Sequence, residues 1–257
     1  MEIERHLDWA GCVNARDLGG LPAGDGRTTR WRAVVRADNL DRLTPQGWAA
    51  LAAYGVRTVV DLREDDERST AVARPDGVTV VHVPLDDNAD AAFWSRLVDE
   101  DVDDATPLYY RPFIERKTER CVAAIAAVAR AEPGGVVVHC GLGRDRTGLV
   151  SLLLLALVDT TPGVIAADYA LSGERLRRRF AQAQAQADAR ADAQAQTPTQ
   201  ARADDSDPIA ARLALHGLTI AEALHQVLAG LDVEAHLRAA GLTAEDLRAV
   251  RARLIGD

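Results

Sequence analysis

Apolar residues along this chain follow two periods, and the switches between them mark its elements. Short β-branched stretches at 33–36, 56–62, 78–83 and 135–139 are apolar in continuous runs, the pattern of parallel strands covered on both faces. Helical spacing takes over between them. Thr44 and Pro45 supply an N-cap and a first-turn proline, Trp48, Leu51 and Ala52 form one face, and Gly55 is the stop. A second helix is predicted over 115–130, with Cys121 as a small apolar residue on its buried side. Residues 149–158 are almost uninterruptedly apolar and predict a buried helix directly after the last strand. Thr161 and Pro162 start another helix through 179, and the pairs Thr219 with Glu222 and Thr243 with Asp246 cap short helices near the C-terminus. The alternation predicts an α/β fold, with a central, mostly parallel sheet flanked by helices and a helical C-terminal portion.

Two segments interrupt this pattern. The Ala/Gln tract at 181–203 has no apolar face to dock, so it is expected to be a spacer, a marginal helix or a lid. The acidic stretch 86–104 carries Phe93, Trp94 and Leu97 at helical spacing and is the other lid candidate. The expected organisation is one domain over 1–257, with the linker or lid at 181–207 and C-terminal helices over 208–257.

Composition narrows the function. With 257 residues, 47% of them hydrophobic, the chain can bury a full core without a second domain. A net charge of −9 argues against a general nucleic-acid binder. No basic and apolar leader is visible, and the 149–158 run is too short to span a bilayer. Cys12, Cys121 and Cys140 make neither a disulfide framework nor a metal cluster. The expectation is a cytoplasmic, reduced protein with no transmembrane segment, metal or other cofactor.

The chemistry is concentrated in His139-Cys140-Gly141-Leu142-Gly143-Arg144-Asp145-Arg146-Thr147-Gly148, a turn between an expected strand and an expected helix. A helix N-terminus presents unpaired N–H groups and positive dipole, so an anion sits there readily. The same field favours the thiolate form of a cysteine. Five residues separate Cys140 from Arg146, enough for the loop to curl round a tetrahedral anion while the guanidinium grips two of its oxygens. Gly141, Leu142, Gly143, Arg144, Asp145 and Arg146 are therefore the expected phosphate-binding residues. A rhodanese-type sulfur-transfer loop has one residue fewer, so phosphate chemistry fits better.

This stretch resembles the signature of cysteine-dependent phosphatases, HCxxGxxR(S/T)G, at every fixed position. Asn14-Ala15-Arg16-Asp17-Leu18-Gly19-Gly20, Val35-Arg36-Ala37-Asp38-Asn39-Leu40, and Val59-Val60-Asp61-Leu62-Arg63 with Glu67 look like successive landmarks of the bacterial tyrosine-phosphatase family. Asp168-Tyr169-Ala170-Leu171-Ser172 and residues 233–254 resemble its helical C-terminal portion, so the similarity covers most of the chain. Arg144 stands where the family usually has lysine, which keeps the charge and changes the hydrogen-bond geometry.

The resemblance implies a metal-independent phosphomonoester hydrolase. Cys140 attacks phosphorus to form a phosphocysteine, Arg146 and the loop amides hold the oxygens, and the Thr147 hydroxyl donates to the sulfur. Asp145 resembles the aspartate proposed to protonate the leaving oxygen in this family; Asp86 and Asp87, after the third predicted strand, lie where many cysteine phosphatases carry their acid. His139 either orients the loop or is a structural histidine. Asn14, Arg16 and Asp17 are expected to brace the loop, and Asp61 to be structural beside Arg63. The expected substrate is a phosphorylated protein, or alternatively a phosphoinositide, nucleotide or biosynthetic phosphate ester; a phosphate-binding module without turnover is the third reading.

Overall fold

The computed structural model describes residues 5–69, 75–192 and 207–256. Among them, strands β1 (Arg16–Asp17), β2 (Val34–Ala37), β3 (Val56–Asp61), β4 (Thr79–His82) and β5 (Gly135–His139) form one sheet in the order β1-β2-β5-β3-β4. Only β1 is antiparallel to its neighbour, so the α/β expectation of a mostly parallel sheet is met. β5 is central and all five of its residues are buried, as its run of valines requires. Val136 and Val138 point into a core with Val60 and Leu62, while Val137 points through the other face toward Val35, Val59 and Trp48.

Helices cover both faces. α1 (Pro45–Tyr54) starts and stops where its caps predict: Thr44 accepts from the Gly47 N–H, and Gly55 closes the helix with φ +102°. Then follow α2 (Ala91–Asp99), α3 (Tyr110–Arg116), α4 (Thr118–Ala129), α5 (Asp145–Ala156) and α6 (Pro162–Asp192). α7 (Pro208–Leu215), α8 (Ile220–Leu228), α9 (Val233–Ala239) and α10 (Ala244–Ile255) complete the described chain. α8 packs on α6 and α10 on α4, which ties the C-terminal helices to the same layers as the sheet. No described helix is long and apolar enough to cross a membrane.

Several boundaries differ from expectation. β1 is two charged residues and leaves no periodic signal. The helix expected over 115–130 is two, broken at Lys117, whose ammonium pairs with Asp87 and Asp90. The helix expected to end at 179 continues to Asp192, because alanine and glutamine propagate a helix once it is nucleated. The remainder of the expected linker or lid, 193–206, lies outside the described residues. The acidic stretch after β4 contains α2, which is anchored by buried Phe93 and Leu97, with Phe93 edge-on to Phe113 at 5.7 Å.

Candidate active site

The chain leaves β5 at His139, turns through 140–144 and enters α5. Four successive carbonyls of this turn face its supports. Gly141 O accepts from Asn39 N (3.2 Å), Leu142 O from Asn14 Nδ2 (2.9 Å), Gly143 O from Asn14 Nδ2 and Arg36 Nη2 (3.2 and 3.0 Å), and Arg144 O from Arg36 Nη2 (3.3 Å). A turn whose carbonyls face one side offers its N–H groups on the other, which makes an anion cradle at the N-terminus of α5. Gly143 has φ +67°, and a Cβ there would lie 2.5 Å from the Ala37 carbonyl carbon, so the close pass against β2 needs glycine. Cys140 sits on the cradle's floor, 2% exposed.

The supports are themselves fixed from behind. Arg16 Nη1 donates to Asn14 Oδ1 (2.8 Å), and Arg16 and Arg36 both reach the buried carboxylate of Asp168, Arg36 at 2.6 Å, with Arg5 as a third cation. Ser172 Oγ accepts from Arg16 Nη2 at 2.9 Å. Burial alone would raise the Asp168 pKa, but Arg16, Arg36 and Arg5 hold it far below the carboxylate range. Asn14 thus bonds the loop directly, and Arg16 holds Asn14 from behind. Asp17, expected to brace the loop with them, does neither: alternation along β1 turns it to the other face, where it accepts from the N–H groups of Gly19 and Arg32 (both 2.7 Å) and from the Tyr54 hydroxyl.

Arg146 meets two carboxylates. Glu67 takes both of its terminal nitrogens, with Nη2 to Oε1 at 2.7 Å, and Asp86 Oδ2 lies 3.2 Å from Nε. Burial would weaken its charge, but Glu67, Cys140 and Asp86 outweigh that and raise its pKa. Asp86 is pushed up to about 6, chiefly by burial and further by Glu64, Glu67 and Asp145, against the pull of Arg146. Asp145 is also raised by burial, opposed by Arg144, a 3.1 Å hydrogen bond from the Tyr169 hydroxyl, and Arg146. The Tyr110 hydroxyl donates to Asp145 O at 2.7 Å. Gly148 makes this possible: a Cβ there would be 2.7 Å from the Tyr110 oxygen and 3.0 Å from the Tyr169 ring.

Three further expectations are corrected. Asp87 faces away from the loop, its carboxylate 2.9 Å from both Lys117 and Arg120, so it is not at the site. The Arg144 guanidinium turns outward, donating to both Asp207 oxygens at 2.7 Å and lying over the Tyr169 ring at 5.6 Å, and its main chain alone belongs to the cradle. Thr147 Oγ1 is buried without a hydrogen-bond partner among the described residues and makes no bond to the sulfur.

Asp61 holds Arg63 through two bonds (2.9 and 2.8 Å), and Arg63 continues to Asn39 and Asp41, which supports the loop from the β3 side. His139 Nε2 lies 3.5 Å from Asp61 and Nδ1 3.3 Å from Cys140 O. Burial lowers the His139 pKa to about 4, so the ring is neutral at pH 7. Arg36, Asp168, Ser172, Tyr169 and Glu67 belong to the site without having been assigned a role from sequence. The available signal was charge within apolar segments, above all Arg36 inside a fully buried strand.

Beside the loop opens a cavity of about 420 Å³, walled by Asp86, Asp104, Asp145 and Arg146 and by the rings of Trp94 and Tyr109. A buried cysteine under an arginine-gripped cradle at a strand-to-helix turn defines a thiol-based phosphate-handling site on an α/β sheet. The family model for the tyrosine phosphatase family matches residues 7–256, and the chain belongs to that family. It is 29% identical over 231 residues to a tyrosine-protein phosphatase of Nostoc commune, covering 86% of this chain and 74% of that one. It is 32% identical over 211 residues to the triple specificity protein phosphatase PtpB of Mycobacterium tuberculosis, covering 67% of this chain and 72% of the relative.

Proposed function

We propose that this protein hydrolyses phosphotyrosine-type monoesters through a phosphocysteine on Cys140. The observation that carries this reading is the row of outward carbonyls from Gly141 to Arg144, which leaves the loop amides directed at an anion above a buried cysteine. In the first step the Cys140 thiolate attacks phosphorus in line, the S–P bond forms and the P–O bond to the leaving group breaks. The departing oxygen takes a proton from Asp145. In the second step that carboxylate removes a proton from water, the water oxygen attacks phosphorus, and the S–P bond breaks to release phosphate and thiolate. Arg146 and the amides hold the equatorial oxygens throughout.

The mouth favours an aryl phosphate over a polyphosphorylated lipid. Asp86, Asp104 and Asp145 make it acidic, Trp94 and Tyr109 offer ring faces, and Arg144 is neutralised by Asp207. The C-terminal helices packed on α4 and α6 support a single phosphatase domain, and the thiol chemistry supports a reducing, cytoplasmic setting. The test combines a substrate panel with one variant. Cys140→Ser should lose turnover while still binding vanadate, and the wild type should prefer phosphotyrosine peptides to phosphoinositides, nucleotides and sugar phosphates. Turnover by the serine variant would remove the covalent mechanism, and a preference for phosphoinositides would remove the substrate assignment.

A further inference from the structure

At the end of the sheet opposite Cys140, the starts of β2 and β5, the end of α1 and α10 line an open cavity of about 610 Å³, with Arg30 and Arg32 exposed at its rim. Gly135 is at this end of β5 and His139 at the other, about 13 Å apart by strand rise. It is therefore separate from the phosphate loop, and its size is that of a small-molecule pocket.

Its walls are cationic in a protein of net charge −9. Arg30 donates to Ala252 O (3.1 Å), and Arg253 donates to Gly134 O and Ala131 O (2.7 and 2.6 Å). Arg32 lies over the Tyr54 ring at 5.2 Å. Among the described residues none of these three guanidinium groups forms an ion pair; neutral carbonyls and a ring are their partners. The nearby carboxylate of Asp17 is already engaged by Tyr54 and two main-chain N–H groups. Burial, and then the charge of Arg30, lower the Arg253 pKa. Arg32 also holds φ +63°, where glycine would be easier, so a guanidinium is presented here despite the backbone. Half-buried Trp31 also lines the cavity, and its indole is packed against Gly20, where a Cβ would lie 2.6 Å from the ring.

We propose that this cavity is a second anion site, which takes a small organic phosphate of the nucleotide class: Arg30, Arg32 and Arg253 hold the phosphate charge and Trp31 packs against the base. The probe is ADP, titrated calorimetrically into the protein with its catalytic loop filled by tungstate. One ADP per chain should bind, more tightly than inorganic pyrophosphate, and the double variant Arg30→Ala, Arg32→Gly should bind at least about tenfold more weakly. Glycine suits the left-handed backbone at 32, and the Arg30 main-chain bond to Leu254 is kept, so the variant should fold and hydrolyse p-nitrophenyl phosphate at the wild-type rate. No ADP binding at millimolar concentration, complete competition by tungstate, or undiminished affinity in the double variant would overturn the site. Pyrophosphate binding as tightly as ADP would overturn the nucleotide class.

Discussion

Glu67 and Arg146 are joined carboxylate to guanidinium through both terminal nitrogens, so the fork that the proposed mechanism assigns to phosphate is already occupied by an anion of this chain. Substrate must exchange with it.

That exchange opposes binding. Removing the charge with Glu67→Gln keeps the shape and weakens the competitor, so vanadate should inhibit the variant at roughly three- to tenfold lower concentration, about 1 kcal/mol of a partly exposed pair. The gain should shrink in high salt. Weaker inhibition by vanadate would mean that Glu67 orients the fork instead of blocking it.

Arg144 and Asp207 form the tie between the phosphate loop and the chain that returns at α7. Both side chains are more than nine-tenths buried, at 4% and 9% exposure, so removing either partner strands a charge. Asp207→Ala should destabilise the fold by about 3 kcal/mol in urea unfolding, and Arg144→Met with Asp207→Ala should recover most of the loss. A double variant as unstable as the single one would show that Asp207 acts through its cap on α7, where it accepts from Ile209 N, and not through Arg144.

The sheet was legible because its strands are buried on both faces and carry near-continuous β-branched runs, and the loop because its fixed spacing is a chemical requirement. The braces were only half legible. Asn14 and Arg16 are found beside the loop, but nothing local to the sequence shows that Arg16 and Asp17 face opposite ways, since a two-residue strand is too short to display a period. Asp86 and Asp87 are adjacent and chemically identical; Lys117 and Arg120, some 30 positions along, select which of them faces Arg146. Arg144 fits the loop motif, and its outward turn depends on Asp207, beyond a low-complexity tract. Pairings over such separations are set by packing, which single-chain patterns do not encode.

Asp86 gives the pH dependence of stability a definite sign. Its folded pKa is about 6 against about 3.9 for an unperturbed aspartate, so the folded state binds the proton more tightly and stability falls as pH rises from about 4 to 6. His139 works the other way, since its folded pKa near 4 lies below 6.5 and stability is lost as pH falls through that window. The two slopes largely cancel in the wild type. Asp86→Asn removes one of them, so the variant should be more stable by about 1 kcal/mol at pH 7.5, discounted for solvent screening at the open mouth, and equal to wild type at pH 4. Thermal unfolding at the two pH values decides; a variant less stable at pH 7.5 would show that the Arg146 pair outweighs burial.

The proton donor is the assignment with two contenders at one mouth, because burial raises the pKa of both Asp145 and Asp86. Asp145 is fixed in the loop by the Tyr169 and Tyr110 hydroxyls, whereas Asp86 rests on Arg146, the group that phosphate must claim. A donor matters most when the leaving oxygen is basic. Asp145→Asn should therefore slow phosphotyrosine, whose phenol has a pKa near 10, by about 100-fold or more, and p-nitrophenyl phosphate far less. The basic limb of its pH–rate profile should flatten as well. Asp86→Asn should slow the two substrates by the same small factor, since it alters the setting of Arg146 and not the proton supply. If the leaving-group dependence instead follows Asp86→Asn, the acid is the carboxyl with pKa about 6 on the loop after β4, and Asp145 serves to hold the start of α5.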